Sequence, residues 1–350
     1  MKKDILSLSF EELQSQITAV GEEKFRAKQI FDWLHVKKIT DFSEMSNISE
    51  QLRQFLTNYF CIKPLIIRKK LVSEYDYTVK YLYEMEDGET IETVLMRYRH
   101  ANSLCVSTQA GCKMNCAFCA SGANGFIRDL TPSEMLLQLY ETERDSGKSA
   151  SGDVSVGNLV LMGIGEPLDN FDNVIRFLEL LSDKNGRNMS LRHVSLSTCG
   201  LADKIDALAE LRLGLTLSVS LHAADNETRN KIMPVNFTFN IETLMSACRN
   251  YYEKTGRRIS FEYALIKDLN DDEKAAEKLA ALVKPLSAHV NLIPVNNVCK
   301  NGIYSPAKSP ETSRIKAFHT WLTRNGVNAT VRRTLGTDIS AACGQLRSDN

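Results

Sequence analysis

Hydrophobic positions recur with a helical period over residues 9–58. Ser9-Phe10-Glu11-Glu12 reads as a capping box, with Ser9 as N-cap and Glu12 at the third helical position. Phe25, Ile30, Trp33 and Leu34 then fall at spacings that predict an apolar helix face, opposite Lys24, Arg26, Lys28, Lys37 and Lys38. The period changes over residues 65–98. The stretches from Tyr77 to Tyr83 and from Thr90 to Met96 flank Asp87-Gly88, which predicts a hairpin. From Asn102 onward, strand and helix patterns alternate. Strands are expected at 103–108, 158–162, 192–198, 215–221, 259–266, 288–294 and 328–333. Helices are expected near 131–145, 171–182, 201–210, 241–254, 271–284 and 310–325. Thr131-Pro132-Ser133-Glu134 marks one helix start, with an N-cap, a proline at N1 and an acid at N3. Six or so βα units predict an α/β fold built on a partial parallel (β/α)6-type barrel, with its active site at the C-terminal ends of the strands. The expected division is a helical accessory domain (1–64), a hairpin linker or barrel extension (65–98) and the barrel core with a C-terminal segment (99–350).

Composition bounds the function classes. A chain of 350 residues with 43% hydrophobic and 25% charged residues is ordinary for a globular protein. No run of about 18 apolar residues occurs, so no membrane span is expected. Met1-Lys2-Lys3-Asp4 is followed by no apolar segment, which argues against a signal peptide. Nine scattered cysteines, an odd number, argue against a disulfide scaffold and for a reducing cytoplasm. Formal net charge is zero, so a nucleic-acid partner has to be held by local patches. Residues 1–70 carry twelve Lys and Arg against nine Asp and Glu, and residues 300–350 eight against three. Both ends are therefore mildly basic. The basic face of the first helices reads either as a solvated surface or as an RNA-docking surface, and composition favours the former.

The chemistry centres on Gly111-Cys112-Lys113-Met114-Asn115-Cys116-Ala117-Phe118-Cys119, on the loop leaving the first barrel strand. Thiolates suit zinc or iron–sulfur centres. A closed zinc site needs four ligands, and the next cysteine, Cys199, is distant. Three ligands suit a cubane cluster with one iron left open to a small molecule. The alternatives are a zinc knuckle or three buried thiols. The C-x3-C-x2-C spacing resembles the signature of the radical S-adenosylmethionine (radical SAM) enzymes. That resemblance implies one [4Fe-4S] cluster on Cys112, Cys116 and Cys119, and cleavage of SAM to a 5′-deoxyadenosyl radical. Other strand ends then become candidate SAM contacts. These are Gly165 and Glu166 in Gly163-Ile164-Gly165-Glu166-Pro167, then Ser197, then Ser220, Leu221 and His222, and finally Asn296. Glycines let backbone approach a ligand closely, and Glu166 is placed to accept from an ammonium.

Five stretches narrow the resemblance: Ile91-Glu92-Thr93-Val94, Cys105-Val106-Ser107-Thr108-Gln109, Met162-Gly163-Ile164-Gly165-Glu166-Pro167-Leu168, Ser220-Leu221-His222-Ala223, and the segment from Asp338 to Leu346. Together they resemble the RlmN/Cfr group of RNA methyltransferases over nearly the whole chain. The RlmN branch makes 2-methyladenosine in 23S rRNA at the peptidyl transferase centre and in tRNA 3′ of the anticodon. The Cfr branch methylates adenine C8. Pro167, where alanine is expected in Cfr, favours the RlmN branch. The resemblance implies that Cys343 takes a methyl group from one SAM, and that the radical from a second SAM removes a hydrogen from it. The carbon adds to adenine C2, Glu92 accepts the C2 proton, and Cys105 attacks the Cys343 sulfur, leaving a transient Cys105–Cys343 disulfide. It further implies an electron donor such as flavodoxin and a monomer working in the cytoplasm. Without that resemblance, Cys105 reads as a buried core thiol and Cys343 as an exposed spare. The competing readings are a Cfr-type C8 methyltransferase and a non-catalytic iron–sulfur or zinc protein.

Overall fold

In the computed structural model, residues 2–147, 155–286, 288–296, 299–300, 303–304 and 307–346 are described, with backbone alone at 299, 300, 303 and 304. The barrel strand Thr216–Ser220 alternates polar and apolar residues. Leu217 and Val219 enter the core under the helices, while Ser218 and Ser220 face inward, onto cavities. The same alternation builds one ten-stranded sheet. Its strands in chain order are β1 (Ile66–Val72), β2 (Val79–Glu84), β3 (Thr90–Met96), β4 (Asn102–Cys105) and β5 (Val156–Leu161). They continue as β6 (Val194–Thr198), β7 (Thr216–Ser220), β8 (Ser260–Leu265), β9 (His289–Pro294) and β10 (Asn328–Val331).

Strands β4 to β10 run parallel, and each pairs with its sequence neighbours. Strands β1 to β3 extend the sheet antiparallel beyond β4. The edges β1 and β10 are not paired, so the barrel is open. The predicted hairpin is β2–β3, and Gly88 supplies the left-handed residue its loop requires (φ +86°). Strand β1 is an addition that period alone did not single out.

The helices are α1 (Phe10–Ala19), α2 (Lys24–His35), α3 (Glu50–Tyr59), α4 (Pro132–Gly147) and α5 (Phe171–Ser182). Then come α6 (Ala202–Glu210), α7 (Asn226–Ile232), α8 (Ile241–Thr255), α9 (Glu273–Val283) and α10 (Thr312–Arg324). The capping box at Ser9 is formed. At the start of α4, the Glu134 carboxylate accepts the Thr131 N–H (2.8 Å) and Glu134 N–H donates to the Thr131 hydroxyl. In α2, the buried face is Ala27, Ile30, Phe31 and Leu34. Phe25 is 55% exposed rather than part of that face. It lies two residues before Ala27, about 200° round the helix, and the Arg26 guanidinium packs over it.

The N-terminal helices share one hydrophobic core with the barrel helices, running from Ile5, Leu13, Phe31 and Leu34 into Met135, Leu139 and Phe177. Polar ties cross the same boundary. His35 Nδ1 meets the Tyr140 hydroxyl at 3.0 Å, Lys38 pairs with Glu143 at 2.5 Å, and the Ser133 hydroxyl donates to Asp4.

Candidate active site

The loop after β4 opens as a small antiparallel ladder, Gln109–Gly111 against Phe126–Asp129, and the three motif cysteines lie inside it. Gly111 turns the chain at φ +75°, where a Cβ would lie 2.0 Å from the Gly125 carbonyl oxygen. Lys113 pairs with Asp169 at 2.8 Å, tying the loop to the end of β5. Gln109 does the same work from the base of the loop. Its Nε2 donates to Asp129 and Asp169, and its Oε1 accepts the Glu166 N–H at 2.8 Å.

Cys112, Cys116 and Cys119 line one cavity of about 1010 Å3 of empty space, open in part to solvent. Gly165, Glu166, Ser197, Ser220, His222, Asn296 and Cys343 line it as well, so residues from five strand ends and the C-terminal segment converge there. Leu221 does not. Its side chain lies in the core, its N–H donates to Glu262, and its carbonyl accepts from Arg229.

The glycines of the β5 loop serve the protein's own packing. A Cβ on Gly165 (φ +107°) would lie 2.6 Å from Gln109 Cβ, and one on Gly163 would lie 2.7 Å from the Ser107 backbone nitrogen. The side a Cβ would take is filled by the chain entering the cysteine loop, while both glycines still border the cavity. Glu166 is likewise engaged from within. Its two carboxylate oxygens accept the N–H groups of Cys199 (2.6 Å) and Leu168 (3.0 Å), and burial pushes its carboxyl up from the usual range. His222 holds φ +56°. Its Nδ1 accepts the Ala264 N–H at 2.9 Å, so the neutral ring carries its proton on Nε2. Burial, with the Arg229 charge, lowers its pKa to about 3. Its ring meets Phe118 of the cysteine loop edge-on.

Arg229, fully buried, was not singled out by sequence. Its guanidinium donates to the carbonyls of Cys199, Ser220, Leu221 and Phe239 and to Asn236 Oδ1, and so ties the ends of β6 and β7 together. Its one sequence signal is position, four residues after the helix-capping Asp225.

Cys343 is accessible to solvent in the cavity. Desolvation by the surrounding protein, opposed by the Arg332 charge, pushes its thiol up. It also lines a second, adjoining cavity with Cys105, Arg332 and Asn296. Cys105 is a free buried thiol, raised to about 12 by desolvation and by the neighbouring Cys343. The Cys343 carbonyl accepts from Asn296 Nδ2 at 3.0 Å, and the Gly344 carbonyl accepts the Ala120 N–H at 2.7 Å, one residue beyond Cys119. Glu92 lines neither cavity. It is buried on β3 and paired with Lys80 of β2 at 2.8 Å. Cys61 and Cys248 lie away from the site, Cys199 lines the first cavity, and the side chain of Cys299 is outside the described residues.

The donor set fits a cubane cluster. Among the described residues, no three such side chains converge on a single-ion point. A cubane presents separate irons, each taking one thiolate, and the three cysteines line one cavity. Burial raises the Cys112 thiol to about 12 and pushes Cys116 higher. Bound iron favours the thiolate forms that burial alone opposes.

An open parallel barrel with C-x3-C-x2-C on the loop after its first parallel strand defines the radical SAM class. Two family models match the chain: the radical SAM superfamily over residues 106–280, and the ribosomal RNA large subunit methyltransferase N-terminal domain over residues 3–62. A crystal structure of a radical SAM methyltransferase from Sphaerobacter thermophilus superposes with a TM-score of 0.92 at 38% identity, covering 99% of this chain and 100% of that one. Proteins described as probable dual-specificity RNA methyltransferase RlmN are 45% identical over 348 residues in Lachnospira eligens (99% of this chain, 96% of that protein) and 47% identical over 346 residues in Alkaliphilus oremlandii (99% and 98%). The chain belongs to the RlmN family of SAM-dependent, radical-type RNA methyltransferases.

Proposed function

We propose that this enzyme makes 2-methyladenosine in 23S rRNA and in tRNA 3′ of the anticodon, through an S-methylated Cys343. The observation that carries this reading is the pairing of two cavities. Cys343 borders both the chamber of the three cluster cysteines and the smaller one holding Cys105.

Cys112, Cys116 and Cys119 hold the [4Fe-4S] cluster, with Gly165, Glu166, Ser197, Ser220, His222 and Asn296 around the SAM. When bound, the pair supplies a 5′-deoxyadenosyl radical, and two SAM molecules are used per turnover. Cys343 carries the carbon that is transferred. Its carbonyl accepts from Asn296, and the next carbonyl, that of Gly344, accepts from Ala120. Glu92 accepts the proton from C2. The Cys105 thiolate attacks the Cys343 sulfur. The bond from that sulfur to the transferred carbon breaks with its electron pair going to the carbon, and the carbon takes up a proton to become the methyl group. A Cys105–Cys343 disulfide is left for a cellular thiol to reduce. The raised Cys105 thiol fits this late role, since a thiol kept protonated stays inert until its surroundings change. The target base leaves its stack to reach such a chamber. Residues 1–64 serve as an RNA-docking unit, the enzyme acts as a monomer in the cytoplasm, and a flavodoxin-like donor supplies electrons.

The test is nucleoside mass spectrometry. Anaerobically reconstituted enzyme is incubated with unmethylated rRNA, a reductant and SAM carrying a CD3 methyl. The expected product is 2-methyladenosine retaining two of the three deuteriums, with 5′-deoxyadenosine beside it. 8-Methyladenosine would move the enzyme to the Cfr reaction. No methylated base, with the cluster present, would overturn the reading.

A further inference from the structure

The segment Gly336–Leu346, which carries Cys343, is almost wholly irregular. Only residues 337–339 form a short turn of 3-10 helix. Gly336, Ser340 and Gly344 take left-handed φ values of +62°, +51° and +81°. Ser340 is the residue among them for which that conformation is unfavourable, and such a residue persists where its surroundings hold it. Lys80 is one of the groups that hold it: its ammonium donates to the Ser340 carbonyl at 3.3 Å, alongside the Ala341 N–H to Gly336 carbonyl bond and the Glu74 N–H to Asp338 bond. The same ammonium lies 2.8 Å from the Glu92 carboxylate, with side-chain exposures of 10% and 4%. Lys80 stands directly opposite Val94 on the neighbouring strand, which makes Glu92 its diagonal neighbour on the same face. Val94 packs in turn with Cys105, Ala341 and Leu346. One cation therefore touches the strand that bears the base and the segment that bears the nucleophile.

We propose that Lys80 is a positioning residue for methyl transfer, fixing the Glu92 carboxylate and the Cys343 segment in one register. The proposal rests on the reading of Glu92 as the C2 proton acceptor. Buried ion pairs hold position well because separating one strands a charge in a poorly solvated place. Proton capture by Glu92 cancels its charge and with it the main attraction on the ammonium. This one tie of the segment then loosens at the stage when Cys343 has to turn from the RNA toward Cys105. Methylation of Cys343 by SAM, which precedes that proton transfer, does not need the pair.

Four variants test this: Lys80→Met, Lys80→Arg, Glu92→Gln, and the double variant Lys80→Met with Glu92→Gln. Two readouts are made on each. One is hydrogen–deuterium exchange of residues 336–346 in the protein without added SAM or RNA. The other is kinetic, comparing S-methylation of Cys343 with formation of methylated RNA. Lys80→Met and Glu92→Gln are expected to speed exchange in the segment, and Lys80→Arg to stay near wild type. Lys80→Met is expected to slow RNA methylation by roughly 100-fold and to change Cys343 methylation far less, with partial rescue in Lys80→Arg. The double variant is expected to lose no more than Glu92→Gln alone, because Lys80 acts through Glu92. Unchanged exchange in Lys80→Met, or wild-type RNA methylation by it, would overturn the proposal while leaving Glu92 in its role. Equal loss of both methylation steps without rescue by arginine would mark Lys80 as merely structural. Full RNA methylation by Glu92→Gln would remove the base itself, and the proposal with it.

Discussion

Cys343 and Cys105 show how little a residue type says by itself. Each is a lone cysteine in sequence, far from the other, and each becomes informative by facing the same small cavity. The reading assigns them separable steps, and two substitutions separate them. Cys343→Ala is expected to keep the iron–sulfur absorbance and to abolish RNA methylation, checked by optical spectroscopy and nucleoside analysis. Persistent methylation would sink the two-cysteine route. Cys105→Ala is expected to form the covalent link to RNA and fail to release it, giving a retarded band on a denaturing gel under turnover conditions. No such band, with methylation lost, would count against its resolving role. Glu92 enters the reading through the family resemblance. Its partner Lys80, twelve residues earlier in a different strand, carries no motif and became visible through the sheet.

Among the elements, the loop after β5 and the cysteine loop behave as one unit. Gln109 bonds to Glu166 across them, and the two glycines leave room for Ser107 and Gln109. Gly165→Ala places a Cβ against Gln109 and forces φ +107° on a residue that resists it, a cost of about 2–4 kcal/mol. The expected outcome is a lower thermal midpoint and reduced cluster loading, measured by calorimetry and iron content. Full loading at an unchanged midpoint would show that the loop absorbs the methyl group. The sequence pattern predicted that glycines belong here for a close approach to a ligand; the structure adds a close approach by Ser107 and Gln109. A glycine marks a close approach without naming what approaches. The same limit explains Phe25. Helical spacing predicted an apolar face containing it, whereas the neighbours available in space selected Ala27, Ile30, Phe31 and Leu34.

Across the whole molecule, the N-terminal helices and the barrel share one core, with His35 at their junction. His35 is fully buried against Phe31 and Tyr140, its Nε2 has no partner among the described residues, and desolvation lowers its pKa to about 3. The folded state therefore binds fewer protons than the unfolded chain at any pH between about 6.5 and about 3. Stability contributed by the neutral ring is complete above about 6.5 and is lost as pH falls through that window, by about 1.4 kcal/mol per pH unit. Denaturant titrations at pH 7 and pH 5 should show this loss, and His35→Asn should remove that part of it. An equal pH slope in the variant would mean that His35 does not titrate with folding. No helix among the described residues is long and apolar enough to cross a membrane.

The sequence by itself determined the parallel α/β plan, the helix starts at Ser9 and Thr131, and the C-x3-C-x2-C spacing of Cys112, Cys116 and Cys119. Each of these is written within a few consecutive residues, where period, capping and ligand spacing act locally. The tertiary structure alone decided that Lys80 meets Glu92 and Ser340, that Arg229 meets the carbonyls of two strand ends, and that His35 meets Tyr140; Cys343 and Cys105, a pair the family resemblance implies, line one cavity in it. These encounters depend on sheet order and on an irregular C-terminal segment folding back over the barrel mouth. Neither leaves a periodic trace, because contacts between residues far apart in the chain are selected by the packing of the whole.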